Sequence, residues 1–153
     1  MGAMDYSPAS SSEEMRNVGI TLERVTPDNF SNLWPLFKDL LIDACTRSNG
    51  RFDPNSAIEK MAQGHWQFWV GLHADGIVAL GVTELLTYPT GLKVGNVVIA
   101  TGDNSSRWVH FMDELKDWAR GEECHKMQTL ARKGWAKKLP EFKMTHVLLE
   151  VDL

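Results

Sequence analysis

Glu84 is the residue whose setting points most directly to proton chemistry. It lies in the run Val82-Thr83-Glu84-Leu85-Leu86. A carboxylate among apolar neighbours is expected to keep its proton to higher pH, which suits a general base acting on an ammonium group. Turn signals suggest what surrounds it. If Asp75-Gly76 is a two-residue hairpin loop, Ala74 pairs with Ile77, and counting outward sets Gln67 opposite Glu84. If the next turn centres on Thr90, Glu84 also faces Asn96. Gln67, Glu84 and Asn96 are therefore expected as a polar row on a face otherwise lined by Trp69, Val82, Leu86, Val94 and Val98. A structural acid satisfied by two amides, or a bulge that turns Glu84 outward, is compatible with the same pattern.

A second group of residues is cationic. Between Lys126 and Lys143 lie six basic residues, Lys126, Arg132, Lys133, Lys137, Lys138 and Lys143, with Glu141 as the single acid. Such a patch can meet coenzyme phosphates, an acidic partner or RNA, and a solvated helix face is the plainer alternative. Within it, Arg132-Lys133-Gly134-Trp135 falls where a strand gives way to a helix. Gly134 permits a tight turn, Trp135 can wall a cleft and Arg132 can contact a ligand, or Trp135 packs and Arg132 is solvated. The net charge of −4 argues against a general nucleic-acid binder. The five histidines are scattered without spacing that sets ligands on one helix face, so no metal centre is expected. Cys45 and Cys124 show no C-x-x-C spacing and are expected to be reduced structural thiols.

These residues must be positioned by a small set of elements. A chain of 153 residues with 43% hydrophobic content suits one domain with one core. Residues 1–15 read as a cloning remnant and a disordered tail, and residues 16–153 as the domain. No apolar run is long enough for a bilayer and no leader pattern stands at the start, so a soluble cytoplasmic protein is expected. Ile20–Val25 alternates as a strand, and Thr26-Pro27-Asp28 signals a helix start with Thr26 as cap. Phe30, Leu33, Trp34, Phe37, Leu40, Leu41 and Ala44 recur at helical spacing, with Pro35 expected to kink or divide the helix. Asp53-Pro54 starts a second helix that Gly64 ends. Gln67 to Thr101 reads as a three-stranded meander. Ser105 or Ser106 caps a long helix carrying Trp108, Phe111, Met112, Leu115, Trp118 and Ala119, ending near Gly121. A strand at 127–131, a helix at 135–139 and a last strand at 144–151 complete the order β-α-α-β-β-β-α-β-α-β.

That order is similar to the GNAT superfamily of N-acetyltransferases. Phe68-Trp69-Val70, Thr83-Glu84, Ala131-Arg132-Lys133-Gly134-Trp135 with Leu139, and His146-Val147-Leu148-Leu149-Glu150 resemble GNAT-like proteins often encoded by bacteriophages. The resemblance covers residues 18–153. It implies an α+β fold of α/β/α layers, whose mixed, mostly antiparallel sheet carries helices on both faces. It also implies a cleft where the fourth and fifth strands splay, with the pyrophosphate of acetyl-coenzyme A at the following helix N-terminus. Here that loop is Gly102-Asp103-Asn104-Ser105-Ser106-Arg107, so Gly102, Asn104, Ser105, Ser106 and Arg107 are the expected coenzyme contacts. The chain departs from the family pattern in having Ile99 at the Arg/Gln position, Asn104 at the second small position and Asp103 where an anion would sit. The family's last-helix Tyr, which protonates the leaving thiolate, has no counterpart, because the chain has only Tyr6 and Tyr88.

Two functions follow as expectations. One is acetyl transfer from acetyl-coenzyme A to an amine, with Glu84 as base and Gln67, Trp69, Asn96, Arg132 and Trp135 about the cleft. The other is a non-catalytic GNAT-fold effector that binds a bacterial host protein, with a homodimer open to either.

Overall fold

The computed structural model describes residues 19–103 and 108–153. The readings placed on residues 1–15, and on Asn104, Ser105, Ser106 and Arg107, lie outside the described residues.

β1 (Thr21–Arg24) leads into α1 (Phe30–Thr46). The helix starts later than Thr26-Pro27-Asp28 suggested, because Asn29 closes a turn first. Its Oδ1 accepts from the Thr26 N–H at 2.7 Å and its Nδ2 donates to the Arg24 carbonyl at 3.0 Å. α1 runs undivided past Pro35, which sits on the exposed side. α2 (Pro54–Ala62) begins as its sequence indicated. The Asp53 side chain accepts from the Ser56 N–H at 2.7 Å and Ser56 Oγ accepts from the Asp53 N–H at 3.1 Å, a reciprocal cap with Pro54 at the first helical position.

β2 (Trp66–His73), β3 (Gly76–Thr87) and β4 (Lys93–Gly102) form the antiparallel meander, and β5 (Lys126–Thr129) adds to β4 in parallel. The sheet order is β1-β2-β3-β4-β5. α3 (Phe111–Gly121) connects β4 to β5, and α4 (Trp135–Lys138) follows β5. The α3 helix was expected from Ser105 or Ser106. Instead, Trp108 lies in a turn ahead of it, closed by N–H donations from Phe111 to the Trp108 carbonyl at 2.9 Å and from Met112 to the Val109 carbonyl at 3.1 Å.

Alternation in the strands gives the sheet two apolar faces, and each is covered by helices. On one, Leu33, Phe37, Leu41, Ala44 and Ala57 of α1 and α2 pack on Phe68, Val70, Leu80, Val82 and Ile99. Phe37 and Phe68 meet edge to face at 5.9 Å and are fully buried, each worth about 1.5–3 kcal/mol on burial. On the other face, Phe111, Leu115 and Ala119 are the buried residues of α3. Gly71 lets α3 approach there, since a Cβ at that position would lie 2.9 Å from Phe111 Cε2.

The last strand expected at 144–151 is not formed. Residues 143–153 have no strand pairing and are exposed. The pattern could indicate a strand, but only a partner edge makes one, and among the described residues none pairs with this segment.

Candidate functional site

The register of the meander decides which residues meet. His73 pairs with Gly76, so the hairpin loop is Ala74-Asp75, one position earlier than expected. A bulge between Gly71 and Leu72 then returns half of that shift. The net result is a slip of one residue, which sends a side chain to the opposite face. Gln67 pairs with Thr83, and Trp66 pairs with Glu84. The second turn has the expected register, and Glu84 faces Asn96.

Glu84 is therefore held by Trp66 and Asn96 rather than by Gln67 and Asn96. Trp66 Nε1 donates to one carboxylate oxygen at 3.2 Å, and Asn96 Nδ2 donates to the other at 2.7 Å. The carboxylate is half-buried and lies on the α1/α2 face, where two fixed donors, an indole and one amide, face it in place of the two expected amides. Trp66 is itself fixed by Phe52, edge to face at 5.6 Å, with Lys60 Nζ at 5.6 Å from its ring centre. The row continues to Gln128 of β5, which pairs with Asn96.

Gln67 and Trp69 sit on the opposite face and form a second polar group. Trp69 Nε1 donates to Thr83 Oγ1 at 3.0 Å, and Thr83 Oγ1 donates to Gln67 Oε1 at 3.0 Å. Thr83 is 0% and Gln67 6% exposed, so each needs the other as a partner. Sequence reasoning missed Trp66 and Thr83 because the bulge beside Gly71 leaves no mark in the residue pattern.

A second bulge falls between Val82 and Thr83, where the β3 partners on β4 step from Ile99 to Val97. At the same level β5 ends, since Val97↔Thr129 is its last pairing with β4. Residues 99–102 of β4 thus pair with β3 but not with β5, and the sheet parts there. Glu84 and Asn96 stand at the base of this notch on one face. On the other face, Val97, Ala100, Trp108, Phe111 and Trp135 help line a small apolar cavity of ≈ 40 Å³. Trp135 reaches it from α4, with its ring 5.8 Å from that of Trp108 and Lys138 Nζ 5.0 Å from its centre. Arg132 is exposed, and its carbonyl accepts the Trp135 N–H at 3.0 Å. Lys126, Lys133, Lys137 and Lys143 are exposed as well, spread over strand, turn and helix.

The loop leaving β4 is occupied by the protein's own contacts. A Cβ on Gly102 would lie 2.3 Å from the Val78 carbonyl oxygen, 2.8 Å from Ala79 Cα and 2.9 Å from Trp108 Nε1. The missing side chain at Gly102 therefore makes room for β3 and Trp108. The Asp103 N–H donates to the Val78 carbonyl at 3.2 Å, and Trp108 Nε1 donates to the Asp103 carbonyl at 3.1 Å. At Gly102 and Asp103 the described loop does not fit a pyrophosphate, because the Asp103 amide is committed to β3 and its side chain brings negative charge.

A five-stranded mixed sheet, helices on both faces and a parting between β4 and β5 define a GNAT-like α+β fold. Solved structures of acetyltransferases share it. A predicted acetyltransferase from Clostridium acetobutylicum, crystallised with acetyl-CoA, is 20% identical, with 87% of this chain and 96% of that chain covered and a TM-score of 0.63. An aminoglycoside acetyltransferase from an uncultured soil metagenomic sample is 14% identical, with 88% and 97% covered and a TM-score of 0.63. A ribosomal-protein-alanine N-acetyltransferase from Brucella melitensis is 14% identical, with 88% and 98% covered and a TM-score of 0.64. No family model and no curated protein matches the sequence. At these identities the likeness establishes the fold.

Proposed function

We propose that this chain is a GNAT-like acyltransferase that moves an acetyl group from acetyl-coenzyme A to an amine, with Glu84 accepting the proton that the amine gives up. The observation that carries this reading is the placement of Glu84. Its two oxygens are held by Trp66 and Asn96 at the level where β5 leaves β4. A carboxylate fixed in this way keeps its orientation and takes a proton directly or through one water. When bound, the thioester would supply an activated acyl carbon. Because the Asp103 amide is bonded to the Val78 carbonyl, phosphate contacts would fall to residues 104–107. The acetyltransferases of similar fold include ones named for an aminoglycoside and for a ribosomal-protein alanine, both amine-bearing acceptors.

The test is thiol release from acetyl-coenzyme A over a panel of amines, alongside thermal unfolding with the coenzyme. Coenzyme at about one hundred times its dissociation constant stabilises by roughly 2.7 kcal/mol. Glu84→Gln should lower kcat by about 10²–10⁴-fold with the fold retained. No thermal shift at millimolar coenzyme and no turnover would overturn the proposal.

A second reading rests on the closed state of Gly102 and Asp103. A GNAT-fold protein whose loop is stapled to β3 can serve as a binding module without turnover, with a bacterial host protein as the partner if the bacteriophage resemblance holds. The same unfolding experiment separates the two, since this reading requires no coenzyme shift.

A further inference from the structure

The small cavity on the α3 face has no part in proton transfer, yet it borders the notch. Its walls are hydrocarbon, with Val97 and Ala100 of β4, Gly81 of β3, Leu115 of α3 and Trp135 of α4 among them. The indole N–H groups beside it are already used. Trp69 Nε1 donates to Thr83 Oγ1 at 3.0 Å and Trp108 Nε1 to the Asp103 carbonyl at 3.1 Å. A polar ligand atom placed here would leave water without gaining a partner, so the occupant this cavity suits is a hydrocarbon chain.

Position and size narrow the choice. Val97 is the last β4 residue paired with β5, and Ala100 lies in the stretch of β4 that has parted from it. The cavity therefore meets the notch on the face opposite Glu84. Its floor is bare at Gly81, where a Cβ would have no neighbour closer than 3.9 Å, whereas a Cβ at Gly71 would lie 2.9 Å from Phe111 Cε2. With about 10–15 Å³ for each water-sized atom, a volume of ≈ 40 Å³ holds roughly three carbons.

We propose that the cavity takes the tail of an acyl chain longer than acetyl, so that a coenzyme A thioester of about four carbons is the preferred donor. This deepens the acyltransferase reading and rests on it. The amine would reach the thioester carbon from the Glu84 face, form the C–N bond as the C–S bond breaks, and leave its proton on Glu84. The sulfur departs as a thiolate and takes up a proton from water. The acyl chain would extend to the opposite face, so amine and chain do not compete for space.

Butyryl-coenzyme A and acetyl-coenzyme A are compared on the full chain, by dissociation constant from calorimetry without amine and by kcat/KM over the amine panel. Each buried methylene strengthens binding about fourfold, so the two extra methylenes of butyryl should tighten it about 15-fold. Ala100→Leu fills the space and should bring the butyryl-to-acetyl ratio toward one. Gly81→Ala adds a single carbon and should move the best chain from butyryl toward propionyl. Acetyl-coenzyme A binding as tightly as butyryl-coenzyme A, or more tightly, overturns the inference and leaves acetyl transfer standing. Binding of neither overturns both. A butyryl preference unchanged in both variants, each folded by far-UV circular dichroism, puts the chain elsewhere and overturns the assignment to this cavity.

Discussion

Gly102→Ala asks whether the glycine at the end of β4 makes room for a ligand or for the protein itself. The added Cβ would lie 2.3 Å from the Val78 carbonyl oxygen and 2.8 Å from Ala79 Cα, both backbone atoms that cannot swing aside. Relief requires β4 to move away from β3, which strains the bonds from the Asp103 N–H to Val78 and from Trp108 Nε1 to Asp103. Overpacking of this kind costs roughly 1–3 kcal/mol. Loosening either hydrogen bond adds about 0.5–1.5 kcal/mol, and the stiffer unfolded chain returns about 0.4–1 kcal/mol. The net expectation is a loss of about 0.5–4 kcal/mol, or roughly 1–16 °C in Tm for a domain of this size. Urea and thermal unfolding without ligand measure it. Gly81→Ala is the control, because its nearest neighbours would be 3.9 Å away, and its Tm should stay level or rise. If Gly102→Ala has the wild-type Tm but loses a coenzyme-induced shift, the steric argument is wrong and Gly102 belongs to a ligand site.

Other consequences can be checked on the same protein. Thr83→Val leaves Gln67 and Trp69 without their shared hydroxyl and should cost about 1–3 kcal/mol in urea unfolding; an unchanged midpoint would show that water replaces it. Hydrogen bonds from the Ser56 backbone and then its side chain hold the Asp53 carboxyl below the 3.8 of a free aspartate. The stability this gives is complete above pH 3.8 and disappears as pH falls through the lower folded value. Asp53→Ala should therefore melt below wild type at pH 7, with the gap closing in acid, and a gap independent of pH would refute the cap. Burial, and after it Asp53, pushes the Cys45 thiol up from 9.0, so thiol reagents should label Cys45 only on unfolding. Equal labelling rates in native and urea-unfolded protein would count against its burial. Glu84→Gln should remove turnover while leaving any coenzyme-induced Tm shift in place, which separates proton transfer from binding.

Periodicity and cap chemistry were enough to place most elements, because both act over a few residues. The apolar stripe of α1, the Asp53-Pro54 start of α2 and the meander from Trp66 to Gly102 all follow from contacts within one turn or hairpin. The pairing of Glu84 with Asn96 was legible for the same reason, since a short turn at Thr90 fixes that register. Three features depended on the assembled fold. The bulge beside Gly71 moved Gln67 to the other face, and together with the earlier hairpin loop it brought Trp66 to Glu84. Gly102 matched a phosphate-loop pattern, but only packing showed that Val78 and Trp108 already fill the space beside it. The final β-patterned segment needs an edge to pair with, and chain composition cannot say whose edge that is. Local rules thus determined the elements and one contact of the candidate base. Long-range register, close backbone approach and strand partnership belong to the tertiary structure, because each depends on atoms far apart in the chain.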